Sequence, residues 1–258
     1  MTSIFDSPEF NANLFFPRPD RSPAPAGAQE VYIEVEESVK IHARRYPSPT
    51  ARFSLLYFHG NGEIVADYDD MEGPFAELGA ELIVCDYRGY GKSGGSPSLR
   101  TALSDARTVY RTLRDGKTLL GRVCVMGRSL GSASAIELCA NFQDIDACVI
   151  ESGYADPIPL VERRGLKIQA TTPEEDSAFN NAKKIARVTC PLLVMHGGED
   201  WLISPREAEL NYRQAGSRMK ILEILPGVGH NDIIMAEGNA YFNCLRTFFD
   251  KISNGGGR

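Results

Sequence analysis

From residue 53 onward, short apolar runs alternate with amphipathic stretches, and this alternation strongly limits the folds open to the chain. Short runs that are apolar on both faces are typical of strands in a buried parallel sheet. Alternating strands and helices in turn predict a right-handed, doubly wound α/β fold. The predicted strands are residues 53–58, 81–85, 122–126, 147–150, 191–195 and 219–225, and the predicted helices are 99–114, 130–140, 205–214 and 241–252.

The segment before this alternation divides into a proline-rich arm and a hairpin. Residues 1–30 carry four prolines between positions 17 and 25. Because proline fixes φ and lacks an N–H donor, we predict an extended arm rather than a helix. The cluster Leu14-Phe15-Phe16 is expected to attach this arm to the domain surface. Residues 31–35 and 39–45 alternate apolar and polar side chains, which predicts an antiparallel hairpin at a sheet edge.

The main domain is therefore predicted over residues 31–252. Residues 152–182 interrupt the alternation because they are polar and irregular, and we predict that they form a short cap over the C-terminal edge of the sheet. The glycine-rich residues 253–258 are predicted to be a flexible tail.

Composition excludes several classes of function. The 258 residues include 28 basic and 34 acidic side chains, a net charge of -6, which argues against nucleic acid as a partner. No apolar run approaches the roughly 18 residues of a membrane-spanning helix, and the N-terminus has no secretory pattern. Six cysteines form no Cys-x-x-Cys pair, so we expect buried, reduced thiols in a cytoplasmic protein.

One motif carries a nucleophile. The predicted strand 122–126 runs into Gly127-Arg-Ser-Leu-Gly131 and then directly into a helix. This is the Gly-x-Ser-x-Gly nucleophile elbow, in which a tight turn exposes the serine oxygen. Ligands of open parallel sheets bind beyond the carboxyl ends of the strands, where the elbow would lie. We therefore predict Ser129 as the nucleophile.

A serine needs a base, and the base needs an acid to fix its tautomer. His230 lies in a glycine-rich loop after the last strand, and Asp200 lies in the loop after strand 191–195. The chain order Ser129, Asp200, His230 is the order of this type of triad. Glu199 and Asp232 compete for the acid role, and we predict both to be surface charges. His42 lies in the N-terminal hairpin, too early to serve as the base, and His59 and His196 are predicted to satisfy backbone groups at the ends of strands.

Catalysis of acyl transfer also needs N–H donors for the oxyanion. The backbone N–H of Leu130 in the elbow is one predicted donor, and that of Asn61, in His59-Gly-Asn-Gly-Glu63, is the other. The segment Gly89-Tyr-Gly-Lys-Ser93 is not a phosphate-binding loop, because Asp86 stands where that motif requires glycine. No cluster has metal-ligand spacing, so we infer neither metal nor cofactor.

Together these motifs resemble the α/β-hydrolase superfamily over residues 31–251. The resemblance implies an eight-stranded, mostly parallel sheet and serine hydrolase chemistry. The first-strand segment and Asp86-Tyr-Arg-Gly-Tyr-Gly-Lys-Ser are most similar to the small-lid group that contains the "domain-containing 17" depalmitoylases and related bacterial hydrolases. Those depalmitoylases attach to membranes through an N-terminal cysteine cluster, whereas no cysteine precedes Cys85 here.

The sequence thus predicts a serine hydrolase that cleaves a small-molecule carboxylic ester or thioester. Because the cap is short, we expect a fairly open pocket for short to medium acyl chains. A peptidase or amidase, an acyltransferase, and a non-catalytic protein that binds a ligand or partner through the cap are the alternatives, and the oligomeric state stays open. The predicted apolar lining of the pocket is Tyr154, Ile158, Leu160 and Trp201.

Overall fold

A computed structural model describes residues 3–168, 171–236 and 239–254. The strands are β1 Gln29–Glu36, β2 Val39–Tyr46, β3 Phe53–Phe58, β4 Ala80–Cys85, β5 Arg122–Arg128, β6 Ala147–Glu151, β7 Leu192–Gly197 and β8 Lys220–Leu225. The α-helices are α1 Pro8–Leu14, α2 Glu72–Glu77, α3 Leu99–Asp115, α4 Ser132–Asn141, α5 Ile158–Glu162, α6 Pro173–Phe179, α7 Asn181–Lys184, α8 Pro205–Gln214 and α9 Ala240–Asn254.

The strands of the described residues form one eight-stranded sheet in the order β1-β2-β4-β3-β5-β6-β7-β8. Strand β2 runs antiparallel to both β1 and β4, and every other pair is parallel. The predicted doubly wound sheet with an antiparallel edge hairpin is therefore confirmed. All parallel strands end at one edge, which is where the loops after β3, β5, β7 and β8 come together.

Two apolar cores lie on opposite faces of this sheet. Leu56 of β3 faces the core formed with α3, α4 and α8, whereas Leu55 and Tyr57 face the core formed with α2 and α9. Strands β3, β4, β6 and β7 are buried throughout, as both faces of a covered parallel sheet must be. The sheet is thus a rigid support for the loops at its C-terminal edge.

The N-terminal arm differs from the prediction because part of it is helical. Ser7 Oγ accepts a hydrogen bond from Phe10 N at 3.1 Å and caps α1, and Pro8 occupies the first turn. Proline is well tolerated there, since its missing N–H would have no helical partner. The prediction of an extended arm is therefore wrong for the residues of α1. Leu14 and Phe15 are buried as expected, but Phe16 is 49% exposed.

The cap is also more regular than predicted, because residues 152–182 contain α5, α6 and the start of α7. Thr172 and Glu175 form a capping box at the start of α6, and Asn180 caps α7. Such caps satisfy N–H groups that a short helix leaves free. At the other end, α9 continues through Asn254, so the predicted tail is wrong for residues 253 and 254, and residues 255–258 lie outside the described chain.

A polar cluster around Glu30 at the edge hairpin is expected to lower the stability of the fold at acid pH. Glu30 accepts hydrogen bonds from Arg44 at 2.8 Å and Lys92 at 2.9 Å, and it also pairs with His42. Burial alone would raise the pKa of Glu30, but Lys92, Arg44 and His42 outweigh it and lower the pKa to about 2. Because the pKa of Glu30 is lower in the folded protein than its ordinary value, the Glu30 carboxylate stabilises the fold above about pH 4.5. This contribution to the free energy of unfolding is lost as the pH falls from about 4.5 toward about 2.

We therefore expect Glu30→Gln to lower the urea midpoint at neutral pH, and the deficit to shrink as pH falls through this window. Wild type and variant are compared by urea unfolding from neutral to acid pH. The matched control is Glu34→Gln, at an exposed position on the same strand. A deficit that stays constant with pH would show that the Glu30 carboxylate does not supply the stability.

Candidate active site

The nucleophile elbow forms where β5 ends and α4 begins. Ser129 has a φ of +50°, the left-handed conformation that this tight turn requires. A Cβ at Gly127 would overlap the carbonyl oxygen of Gly131, and a Cβ at Gly131 would overlap that of Phe58. Both glycines are therefore required for the close approach of β3, β5 and the turn. The result places the Ser129 side chain at the C-terminal edge of the sheet.

The structure brings the three predicted catalytic side chains together. His230 Nε2 lies 2.9 Å from Ser129 Oγ, and His230 Nδ1 lies 2.7 Å from Asp200 Oδ2. All three residues are buried, with Ser129 at 7% exposure. With Nδ1–H donated to the carboxylate, Nε2 is left to accept the serine proton. This is the hydrogen-bonded arrangement of a nucleophile, a base and an acid.

Asp200 is held in its ionised form by several donors. Its Oδ1 accepts the backbone N–H groups of Leu202 at 2.9 Å and Ile203 at 2.7 Å. His196 Nε2 lies 3.1 Å from Oδ2. Burial alone would raise the pKa of Asp200, but hydrogen bonds from His196, His230 and Ile203 outweigh it and hold the pKa well below its ordinary value. A carboxylate is therefore present beside His230 across the neutral range.

The two residues that could compete with Asp200 for the role of the acid are at the surface. Glu199 and Asp232 are exposed, and Asp200 rather than either of them pairs with His230. The other histidines make the structural contacts expected of them: His59 Nδ1 lies 2.8 Å from the carbonyl oxygen of Gly60, and His196 Nε2 donates to that of Ile203 at 2.8 Å. His42 Nδ1 lies 2.7 Å from Asp86 Oδ2.

The predicted oxyanion loop after β3 is fixed by its side chains. Asn61 Nδ2 donates to the carbonyl oxygen of Leu14 at 2.7 Å, and Asn61 Oδ1 accepts from Phe16 N at 2.9 Å and Tyr90 Oη at 2.6 Å. Asn61 and Leu130 both line the cavity that contains Ser129. Lining the same cavity is compatible with the predicted role of these two residues as oxyanion donors, and that role stays a prediction.

Arg128 is a site residue that sequence reasoning missed. Its guanidinium pairs with Glu63, on the oxyanion loop, and with Glu151, at 3.1 Å. The same group donates to the carbonyl oxygen of His230 at 3.1 Å and to Asn231 Oδ1 at 3.2 Å. Arg128 thus links the elbow to the loops that carry Asn61 and His230. Its position beside the nucleophile was the only signal in the sequence.

The charges around Arg128 are strongly coupled. Burial would lower the pKa of Arg128, but the carboxylates of Glu151 and Glu63 outweigh it and raise the pKa. Burial also raises the pKa of Glu151, because this carboxyl is almost completely withdrawn from solvent. Removing the guanidinium would therefore leave two poorly solvated carboxylates facing each other.

A cavity of about 230 Å³ opens over Ser129. Of the four predicted lining residues, Tyr154 and Leu160 line it, whereas Ile158 and Trp201 do not. Ile158 packs against the core instead. Trp201 is 92% exposed, because the hydrogen bonds of Asp200 to the next two N–H groups direct Leu202 and Ile203, rather than Trp201, toward the cavity. The remaining lining includes Leu14, Phe16, Arg128 and Arg164, and His230 and Asn231.

Within residues 3–168, 171–236 and 239–254, no group of three or more His, Cys, Asp or Glu side chains is arranged to hold a metal ion. No helix in that same part of the chain is long and apolar enough to span a bilayer. The six cysteines are free, and four of them, Cys85, Cys124, Cys139 and Cys148, are buried.

The chain matches the family model Hydrolase_4, described as serine aminopeptidase, S33, over residues 49–171 and 159–237. It is 30% identical to the α/β hydrolase domain-containing protein aho-3 of Caenorhabditis elegans, over 79% of this chain and 59% of that protein. It is 32% identical to protein bem46 of Schizosaccharomyces pombe, over 78% and 68%. It is 27% identical to the α/β hydrolase domain-containing protein 17B of Homo sapiens, over 72% and 63%.

The matched region thus spans about three fifths to two thirds of the length of these relatives. Among solved structures, the esterase Pf2001 of Pyrococcus furiosus superposes with a TM-score of 0.72 at 20% identity, over 87% of this chain and 92% of that one. At this identity the superposition supports the fold alone.

Proposed function

The chain belongs to the α/β-hydrolase superfamily, and on that premise we propose that it is a serine hydrolase that cleaves a carboxylic ester or thioester through an acyl-enzyme on Ser129. The observation that carries this proposal is the pair of hydrogen bonds that joins Ser129, His230 and Asp200. The family model, described as serine aminopeptidase, and the human relative, an α/β hydrolase domain-containing protein by name, make hydrolysis the expected class of reaction.

In the acylation step, Ser129 Oγ attacks the acyl carbon while His230 Nε2 takes the serine proton. The carbonyl oxygen becomes an oxyanion, which the N–H groups of Asn61 and Leu130 would stabilise. His230 then gives its proton to the departing alkoxide or thiolate, and the alcohol or thiol leaves. The acyl group remains on Ser129 as an ester, and Asp200 stabilises the imidazolium throughout.

In the deacylation step, water replaces the leaving group. His230 takes a proton from that water, whose oxygen attacks the acyl carbon of the Ser129 ester. Collapse of the second oxyanion breaks the bond to Ser129 Oγ, and the proton on His230 returns to that oxygen. The products are the carboxylic acid and the original enzyme. No cofactor is required by these steps.

The cavity favours short acyl chains. An engineered apolar cavity of about 150 Å³ binds benzene in another protein, so about 230 Å³ suits an acyl group of roughly four to eight carbons. Leu14, Phe16, Leu160, Leu202 and Ile203 supply the apolar lining. A palmitoyl chain would have to extend beyond this cavity.

The charged lining disfavours an aminopeptidase. The charged side chains among the described residues that line the cavity are the guanidinium groups of Arg128 and Arg164, with no carboxylate. Glu63 and Glu151 offset the charge of Arg128, so Arg164 is the lining cation that would repel the free N-terminal ammonium of a peptide, and no lining carboxylate would bind that ammonium. We therefore rank amide cleavage below ester and thioester cleavage, although the same triad can perform it.

Acyl specificity is tested with p-nitrophenyl esters from acetate to palmitate, with matched thioesters and p-nitroanilides. We expect kcat/KM to peak among the shorter chains, and Leu160→Trp to move the peak toward acetate because the indole fills the cavity. Leu120→Trp, exposed before β5, is the matched control and should leave the profile unchanged. A peak at palmitate, or cleavage of anilides alone, would contradict the proposed specificity.

A further inference from the structure

Large apolar side chains are exposed around the mouth of the cavity. Phe16 and Leu202 line the cavity and are about half exposed, and Trp201 is 92% exposed beside Leu202. Met235 is also exposed, at 80%, but it does not line the cavity. The other two such residues in the described chain, Tyr32 and Leu120, lie on the edge hairpin and before β5. Exposed apolar side chains that gather in one place mark an interaction surface.

Arginines join these side chains into one surface, here called the rim: Phe16, Arg163, Arg164, Trp201 and Leu202. The guanidinium of Arg164 lies over the Phe16 ring, 5.0 Å from its centroid. Arg163 Nη1 donates to the carbonyl oxygen of Leu202 at 3.1 Å. The rim therefore combines segments from the N-terminal arm, the cap and the Asp200 loop.

Positive charge on the rim lacks carboxylate partners. Arg163, Arg164 and the neighbouring Lys167 are exposed, and within the described residues none of them forms an ion pair. Burial and the charge of Arg163 lower the pKa of Arg164, as expected for a cation without a counter-charge. Within residues 162–167 of the cap, Glu162 is the one exposed carboxylate. On a chain of net charge -6, these are cations left free for an anionic partner.

We propose that the rim docks on an anionic phospholipid surface, with Trp201 and Leu202 at the boundary of headgroups and acyl chains. Arg163, Arg164 and Lys167 would then face the headgroup phosphates. Tryptophan is favoured at that boundary because its ring is apolar and its N–H is polar. Cations near an anionic leaflet add attraction that salt screens. This inference concerns where the mouth lies, and it does not depend on the reaction proposed above.

Docking would place the cavity mouth toward the bilayer. A substrate that partitions into the interface would reach Ser129 without crossing bulk water, with its polar end near Arg164, which lines the cavity. A small acyl cavity is compatible with this orientation, because the apolar rim can contact the part of the substrate that the cavity does not enclose.

Trp201 is the only tryptophan of the chain, so its fluorescence reports on the rim directly. The full chain is titrated with phosphatidylcholine vesicles and with vesicles in which phosphatidylserine replaces part of the phosphatidylcholine, because an anionic surface attracts basic side chains. We expect a blue shift and quenching by brominated acyl chains with the anionic vesicles, weakened by salt. The absence of a shift with anionic vesicles would overturn the proposal.

Variants separate docking from folding. Arg163→Gln with Lys167→Gln should weaken binding roughly 10- to 30-fold, since two cations are lost, while hydrolysis of a water-soluble ester stays unchanged. Arg218→Gln with Lys251→Gln removes the same charge from exposed positions at the opposite end of the sheet and should have little effect. Equal weakening by both pairs would overturn the proposal, because the attraction would then be nonspecific.

The apolar contribution is measured by vesicle sedimentation of Trp201→Ser against Leu120→Ser, with urea midpoints to show that both variants are folded. We expect the first variant to pellet less than wild type and the second to pellet as wild type does. Polyglutamate is offered as an acidic polymer in parallel. Binding to polyglutamate without binding to vesicles would assign the rim to an acidic protein and overturn the lipid assignment.

Discussion

Ser129→Ala is expected to lower kcat/KM for the best p-nitrophenyl ester by roughly a million-fold. The reason is chemical, because without Oγ no acyl-enzyme can form and His230 has no serine proton to accept. Residual hydrolysis would come from the oxyanion donors and from binding alone. The measurement is steady-state hydrolysis at neutral pH, with the urea midpoint as the control for folding.

His230→Ala provides the matching test of cooperation. Because the base acts only through the serine, the loss should be similar, and the double variant should lose little more than either single one. Independent, additive losses would show that the two side chains do not act as one unit. Retention of a tenth or more of the activity in Ser129→Ala would move the nucleophile elsewhere.

Arg128→Met is expected to lower the free energy of unfolding by about 3–5 kcal/mol, the range for removing one partner of a buried ion pair. The guanidinium is enclosed by Glu63 and Glu151, and methionine leaves both carboxylates without a counter-charge. It also removes the hydrogen bonds to His230 and Asn231, so kcat should fall in the folded fraction. Urea unfolding at neutral pH measures the stability change.

The matched variant removes the stranded charges together with the guanidinium. Adding Glu63→Gln and Glu151→Gln to Arg128→Met should recover part of the lost stability, since neutral amides are less costly to bury than carboxylates. The same variant should not recover kcat, because the hydrogen bonds to the His230 segment remain absent. A change below about 1 kcal/mol in Arg128→Met would fall in the range of exposed pairs and would refute a structural role for this network.

Local sequence signals were sufficient for the sheet and for the triad. Strand β3 and helix α8 have the same bounds in the prediction and in the structure, 53–58 and 205–214. Their signals are local: an uninterrupted apolar run between turns, and a proline in the first helical turn after a serine. Ser129, Asp200 and His230 could be identified because each follows a strand, and the sheet edge then brings them together.

Long-range packing decided what the sequence could not show. Helix α1 was missed because the prolines after residue 16 dominated the prediction, although Ser7 and Pro8 form a helix start. Arg128 was missed because its partners Glu63 and Glu151 are distant in sequence. Trp201 was placed in the cavity from its proximity to Asp200, whereas the turn made by that carboxylate directs it to solvent.

The most direct test of the central claim is the mass of the intact protein after incubation with a fluorophosphonate, followed by peptide mapping. The hydrogen-bonded triad predicts one stoichiometric adduct on Ser129, absent from Ser129→Ala and greatly slowed in His230→Ala. An adduct on a different residue, or none on the folded wild-type protein, would contradict the assignment of Ser129 as the nucleophile.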